Sequence, residues 1–100
     1  MTAKNDPEKL DKILQAVAAR TNVTPEEVKS RSQLEPISEA RRIYGWLAYR
    51  TRAGNLTQIG AHLGRKHSVA IYWRDVVDDR RNVDKRMREM TDELRKELSE

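Results

Sequence analysis

No cysteine occurs in the 100 residues, which excludes a disulfide framework, a thiolate metal site and a cysteine nucleophile. Histidine is scarce: only His62 and His67 are present, too far apart in helical phase for a strong metal pair, so neither metal nor cofactor is expected. No apolar run approaches the roughly 20 residues of a membrane helix, and no basic-then-apolar leader is visible. The expectation is therefore a soluble, cytoplasmic protein that makes no membrane contact. The phosphate-binding pattern G-x-x-x-x-G-K-[ST] is missing too, because Gly60 to Ser68 fails it in spacing and residue type; no ATPase module is expected. Paired carboxylates, a nucleophile with a base and a metal constellation are all lacking, so no enzyme is expected. A chain this short makes one domain with a modest core and little room for an enclosed active site.

What the sequence does have is basic charge in one place. The formal net charge is only +4, but its distribution is uneven. Residues 1–37 carry six basic and six acidic side chains, whereas residues 38–74 set Arg41, Arg42, Arg50, Arg52, Arg65, Lys66 and Arg74 against the single acid Glu39. The middle third thus nets +6, and residues 75–100, with nine acids and seven bases, return to −2. A local positive field of this size suits phosphate contact, since neutralising phosphates releases condensed counterions.

Hydrophobic spacing is helical throughout; no strand alternation, internal repeat or low-complexity tract is visible, so the fold class is all-α, a compact bundle of five to six helices. Residues 1–6 read as a disordered N-terminus, with Asp6 as a cap, Pro7 at the first helical position and Leu10, Ile13, Leu14, Val17 and Ala18 as the buried stripe of a first helix over about 7–20. "TPEE" at 24–27 predicts a capping box opening a short second helix, followed by a polar loop to Pro36. A third helix runs from Ile37 to about Arg52, with Arg41 and Arg42 largely off its apolar face. Gly54-Asn55 stops it and caps a fourth helix with Leu56, Ile59 and Leu63 inside. Gly64 breaks the chain again, and a fifth helix starts near Lys66 or His67 and reaches about Asp79. Asn82 is expected to cap a final amphipathic helix over 82–100, with the stripe Val83, Met87, Met90, Leu94 and Leu98, distinct from a main domain over 7–81. That stripe has two destinations open to it: the domain's own surface, or a second copy of the chain as a homodimer.

A short helix, a tight glycine turn and a second helix with a polar start form the layout of a helix-turn-helix, here coinciding with the basic third of the chain. "EARRIYGWLAYR" followed by "LTQIGAHLGRKHSVAIYWRDV" resembles the C-terminal helix-turn-helix domain (domain IV) of the bacterial replication initiator family DnaA, with its TrpR-like fold. That family's pattern runs roughly E-A-R-Q-x-A-x-x-L-A, then L-x-x-I-G-x-x-F-G-G-R-D-H-T-T-V, and the likeness spans residues 10 to about 80. The resemblance implies packed helices with the second helix of the motif in the major groove of double-stranded DNA. Base-edge contacts are then expected from Lys66, His67, Ser68 and Ile71, and backbone contacts from Arg31, Arg41, Arg42, Arg50, Arg52, Arg65 and Arg74. The chemistry agrees, since imidazole and hydroxyl groups meet base-edge acceptors, Ile71 can meet a thymine methyl, and arginine grips guanine or phosphate bidentately. For His67 and Ser68 the alternative is simple helix capping, and for Trp46 and Trp73 a place in the core is expected instead of base stacking.

Several positions depart from the family pattern. Its paired glycine is a single Gly64, its aspartate is Lys66, its second threonine is Val69, and the loop arginine that would enter the minor groove falls near Gln33, with Arg31 nearby. These departures leave DNA binding in place and separate it from the initiator's own site. The functional expectation is a stand-alone, sequence-preferring regulator of replication or transcription, possible in phage as well as in bacteria. Two alternatives stay open: a helical adaptor whose last helix binds a partner, and a small packaging-type DNA-binding subunit that assembles into rings.

Overall fold

Prolines and capping side chains decide where the helices begin. The computed structural model describes residues 7–99, which form α1 (Pro7–Thr21), α2 (Pro25–Lys29), α3 (Ile37–Arg50), α4 (Leu56–His62), α5 (His67–Val83) and α6 (Lys85–Ser99). Among the described residues there is no strand, so the all-α class holds; residues 1–6, including the Asp6 cap and the expected disorder, lie outside them. At α2 the Thr24 hydroxyl accepts from the Glu27 amide at 3.0 Å, while the Glu27 carboxylate accepts from the Thr24 amide at 2.9 Å. Asn55 and Gln58 repeat that reciprocal box at α4, with distances of 2.8 and 2.9 Å. Each box satisfies two amides that the first turn would otherwise leave open.

The stop after α3 differs from expectation. The helix ends at Arg50 because Arg52, with φ at 61°, turns left-handed ahead of Gly54, and the Ala53 amide reaches back to the Ala48 carbonyl at 3.0 Å. After α4 the left-handed residue is Gly64, with φ at 73°, the region where a side chain costs most. The turn is cinched by the Arg65 amide donating to the Gly60 carbonyl at 2.8 Å.

α3 is the hub, packed against all five other helices. Its buried run is therefore not the single stripe expected from spacing: Ala40, Arg41, Ile43, Tyr44, Gly45, Trp46, Leu47 and Ala48 are all buried. Around it close Leu10, Ile13, Leu14 and Val17 of α1, Ile59 of α4 and Ala70, Trp73 and Val77 of α5. Trp46 and Trp73 sit in this core, as their phase implied.

α5 continues four residues past its expected end, and the chain breaks at Asp84, not Asn82. The Asp84 carboxylate accepts from the Met87 amide at 3.2 Å, which caps α6. Val83 consequently leaves the expected stripe and stands 86% exposed at the end of α5. Met87 and Leu94 are buried in the domain's own core, with Met90 and Leu98 packed beside them. The stripe is thus engaged within the chain, and the surface set aside for a dimer seam is already covered. Thr91 between them is fully buried; its hydroxyl donates to the Met87 carbonyl at 2.8 Å and accepts from Arg81 at 2.6 Å.

Candidate nucleic-acid interface

The start of α5 faces outward. Lys66, His67 and Ser68 are exposed, Ile71 is half-buried, and the inward positions Ala70, Trp73 and Val77 hold the helix on the core. Lys66 occupies the cap position without any side-chain hydrogen bond, and among the described residues neither His67 nor Ser68 engages a partner. Capping is therefore not what these side chains do. Tyr72, 56% exposed and four residues after Ser68, extends the same face; the i,i+4 spacing was the signal for it, and the sequence reading passed over it.

Gly60 fixes how close α4 comes to this helix start. A Cβ at position 60 would lie 2.8 Å from the Lys66 carbonyl oxygen and 2.9 Å from that of Arg65, both of them backbone atoms. Only a residue without a side chain permits this approach, so Gly60 positions the exposed turn.

Beside the turn stands the loop between α2 and α3, held by arginines. Arg41 is only 4% exposed, and its guanidinium donates to the carbonyls of Val28 at 2.8 Å, Ser32 at 2.9 Å and Ser30 at 3.0 Å, with a longer approach to Glu27 at 3.4 Å. The backbone contact expected at Arg41 is corrected by this burial: the side chain lies under the loop, not on the surface. Burial, then the charges of Arg65 and Arg42, lower its pKa from the ordinary arginine value, yet a guanidinium stays protonated in water-compatible conditions. Arg65 braces the same loop from the turn, donating to Ser30 at 2.8 Å and to Leu63 at 2.6 Å, so its first partners are main-chain carbonyls, not phosphates. Arg42 pairs with Glu35 at 3.0 Å and with the Ser38 hydroxyl at 3.0 Å. On this braced platform Arg31, Gln33 and the 72% exposed Leu34 project outward.

The remaining cations gather at the other side of α5. Arg50 pairs with Asp78 at 3.0 Å, and Arg74 lies 4.8 Å above the Tyr49 ring while pairing with its neighbour Asp75 at 2.9 Å. Burial opposes ionisation of Asp78, but hydrogen bonds from Trp46 and Arg50 and the charges of Arg50 and Arg74 outweigh it and hold its pKa below the usual carboxylate value. Arg52 is exposed on the loop after α3.

A second feature escaped the sequence reading. His62, considered in the sequence only as half of a poor metal pair, bridges three helices: its Nδ1 lies 2.6 Å from the Tyr44 hydroxyl and its Nε2 lies 2.7 Å from Asp11. With a neutral ring, Nε2–H donates to the carboxylate and Nδ1 accepts from the phenol. Burial, then the charge of Asp11, pushes the Tyr44 hydroxyl pKa well up, so it remains a donor. No cluster among the described residues could hold a metal ion, and no described helix is long and apolar enough to cross a membrane.

An exposed basic helix start, presented across a glycine turn from a short capped helix in an all-helical domain, is the layout of a helix-turn-helix. Residues 10–77 match the family described as the bacterial dnaA protein helix-turn-helix, and the chain belongs to that family. Among its relatives, the chromosomal replication initiator protein DnaA of Campylobacter fetus is 34% identical over 68 residues, covering 68% of this chain and 16% of the relative. The same-named protein of Campylobacter concisus is 32% identical over 68 residues, with the same coverage, and that of Campylobacter curvus 32% over 62 residues, covering 62% of this chain and 14% of the relative. The chain thus spans about one sixth of the length of these proteins.

Proposed function

We propose that this domain binds double-stranded DNA with sequence preference, placing the first two turns of α5 in the major groove, and acts by occupying its site in the control of replication or transcription. Catalysis is no part of this reading. The observation that carries it is the exposed, unpartnered set Lys66, His67 and Ser68, held in place by the Gly60 contact and flanked by the braced loop. In this reading His67, Ser68, Lys66 and Ile71 meet base edges, while Arg31, Arg50, Arg52 and Arg74 meet the sugar-phosphate backbone, with Arg42 and Arg65 contributing what their internal partners leave open. Departure of Lys66 from an acidic residue adds a donor at the groove entrance, which favours guanine edges over the contacts of the initiator's own site. The alternative of an adaptor using the last helix loses its surface, because that stripe packs inside the domain.

Selection of bound duplexes from a random-sequence pool at about 100 mM salt tests the proposal, since non-specific binding is already weakened there. An enriched motif is expected. His67→Ala should then cost about 1–3 kcal/mol on the selected duplex and little on random DNA. Equal losses on both would remove the base-contact role, and recovery of no duplex at all would refute DNA binding.

A further inference from the structure

Next to the far end of the α5 surface lies an open cleft of about 700 Å³, lined by Tyr49, Arg50, Arg52, Gly54, Asn55 and Arg95. Three of the six are arginines and none is acidic. Two walls come from the end of α3 and the loop after it; the third comes from α6, which carries Arg95 back across the domain and lies beyond the segment matched by the family. We infer that this cleft is a phosphate-binding extension of the DNA interface, in which Arg95 and Arg52 hold the duplex backbone just outside the groove that α5 occupies.

The inference rests on the DNA-binding reading and adds a place and a residue to it. Tyr49 makes the connection: its ring is covered by Arg74 of α5 at 4.8 Å and approached by Arg50 at 5.8 Å, and it also lines the cleft. Arginines therefore lead from the outer face of α5 to the cleft, with Asp75 and Asp78 paired to Arg74 and Arg50 on the way. Spacing fits as well. His67 and Arg74 are seven residues apart, about 10 Å along a helix, close to the roughly 12 Å width of the major groove. With His67 inside the groove, Arg74 reaches its rim, where the phosphates stand, and the cleft is the next surface beyond. Guanidinium groups suit this ligand because their planar forks match phosphate oxygens bidentately. Asp78 engages Arg50 and offsets its charge, so the phosphate contact is assigned to Arg52 and Arg95, and the missing side chain at Gly54 leaves the cleft open to a backbone.

The test uses fluorescence anisotropy with a labelled random-sequence duplex of about 24 base pairs, read from 50 to 250 mM salt, on the whole chain. Arg95→Gln and Arg52→Gln are each expected to reduce the salt slope by about 0.9 and to weaken binding about five- to tenfold at 100 mM salt. Lys96→Gln removes the same charge from the neighbouring exposed position outside the cleft and is expected to leave the slope unchanged. A thermal melt within about 3 °C of the parent confirms that each variant is folded, and Arg95→Met, which also removes the charge, takes the place of Arg95→Gln if that variant fails to fold. Arg95→Gln and Arg52→Gln behaving like Lys96→Gln, while the parent binds, would overturn the cleft and leave the DNA reading intact. Failure of the parent to bind the duplex would instead overturn the reading on which the cleft depends.

Discussion

Replacing Arg41 by methionine separates a surface arginine from a structural one. Methionine matches the aliphatic part of the side chain but supplies no donors, so the carbonyls of Val28, Ser30 and Ser32 lose bonds of 2.8, 3.0 and 2.9 Å. Hydrogen bonds from a charged donor are worth about 1.5–3 kcal/mol each. The full sum is not realised, because the freed loop regains water at Ser30 and Ser32, which are half-buried, whereas Val28 is fully buried. A net loss of about 3–4 kcal/mol is expected, in the range measured when one side of a buried charged arrangement is removed. For a domain of this size each kcal/mol moves the melting temperature by about 4–8 °C, so the midpoint should fall by at least about 12 °C. Thermal denaturation followed by circular dichroism reads the change, and the salt slope on random duplex, measured well below the midpoint, should stay within about 0.3 of the parent. A midpoint within about 3 °C of the parent, together with a slope reduced by about 0.9, would show that Arg41 works on phosphate and would refute the clamp.

Gly60→Ala should disturb binding more than folding. Its new methyl group must push back the carbonyls of Arg65 and Lys66, so duplex affinity is expected to fall at least tenfold while stability drops by about 1–3 kcal/mol; unchanged affinity would separate the turn from the site. Asp78→Asn tests the cluster of Trp46, Arg50 and Arg74. The carboxylate pKa is lower in the folded protein, so its stabilisation is present above about pH 4 and is lost as the pH falls through the folded value. The parent should therefore melt above the variant at pH 7, with the gap closing below about pH 4; a gap independent of pH would exclude linkage through Asp78. Leu94→Ala should cost about 2–5 kcal/mol in a melt that does not depend on protein concentration, and a concentration-dependent midpoint would place the α6 stripe in a seam between two copies.

The starts of α2 and α4 were legible because they rest on local chemistry. Thr24 with Glu27, and Asn55 with Gln58, form their boxes from residues three apart, and the buried positions of α1 and α5 follow from helical period alone. The end of α5 was not legible for a related reason. Asp84 outranks Asn82 as the cap only because the helix before it is held by core contacts through Val77 and by Arg81 reaching Thr91 and Asp92, all tertiary. Arg41 shows the same limit in the site. Spacing placed it off the apolar face of α3 with Glu39 and Arg42, which are half-buried, but a helix packed against five others has no free side at Arg41. His62 was underestimated because Asp11 and Tyr44 lie 51 and 18 residues away in the chain.

One charge asymmetry in the sequence therefore resolves into two kinds of arginine. Arg41 and Arg65 both donate to the Ser30 carbonyl, at 3.0 and 2.8 Å, so the loop before α3 and the turn before α5 share one fixed point. Any shift of the exposed helix start relative to Arg31 must break one of these bonds. A groove-reading helix needs such rigidity, because side chains that wander lose the alignment on which base-edge hydrogen bonds depend, and ordering them on binding would subtract from the affinity. In the proposed reading the outer cations Arg31 and Lys66 meet DNA from positions that these inner bonds hold. Counting basic residues along the chain overstates the number available for phosphates, and it hides the buried Arg41 and the half-buried Arg65, whose bonds to main-chain carbonyls hold the proposed reading surface in place.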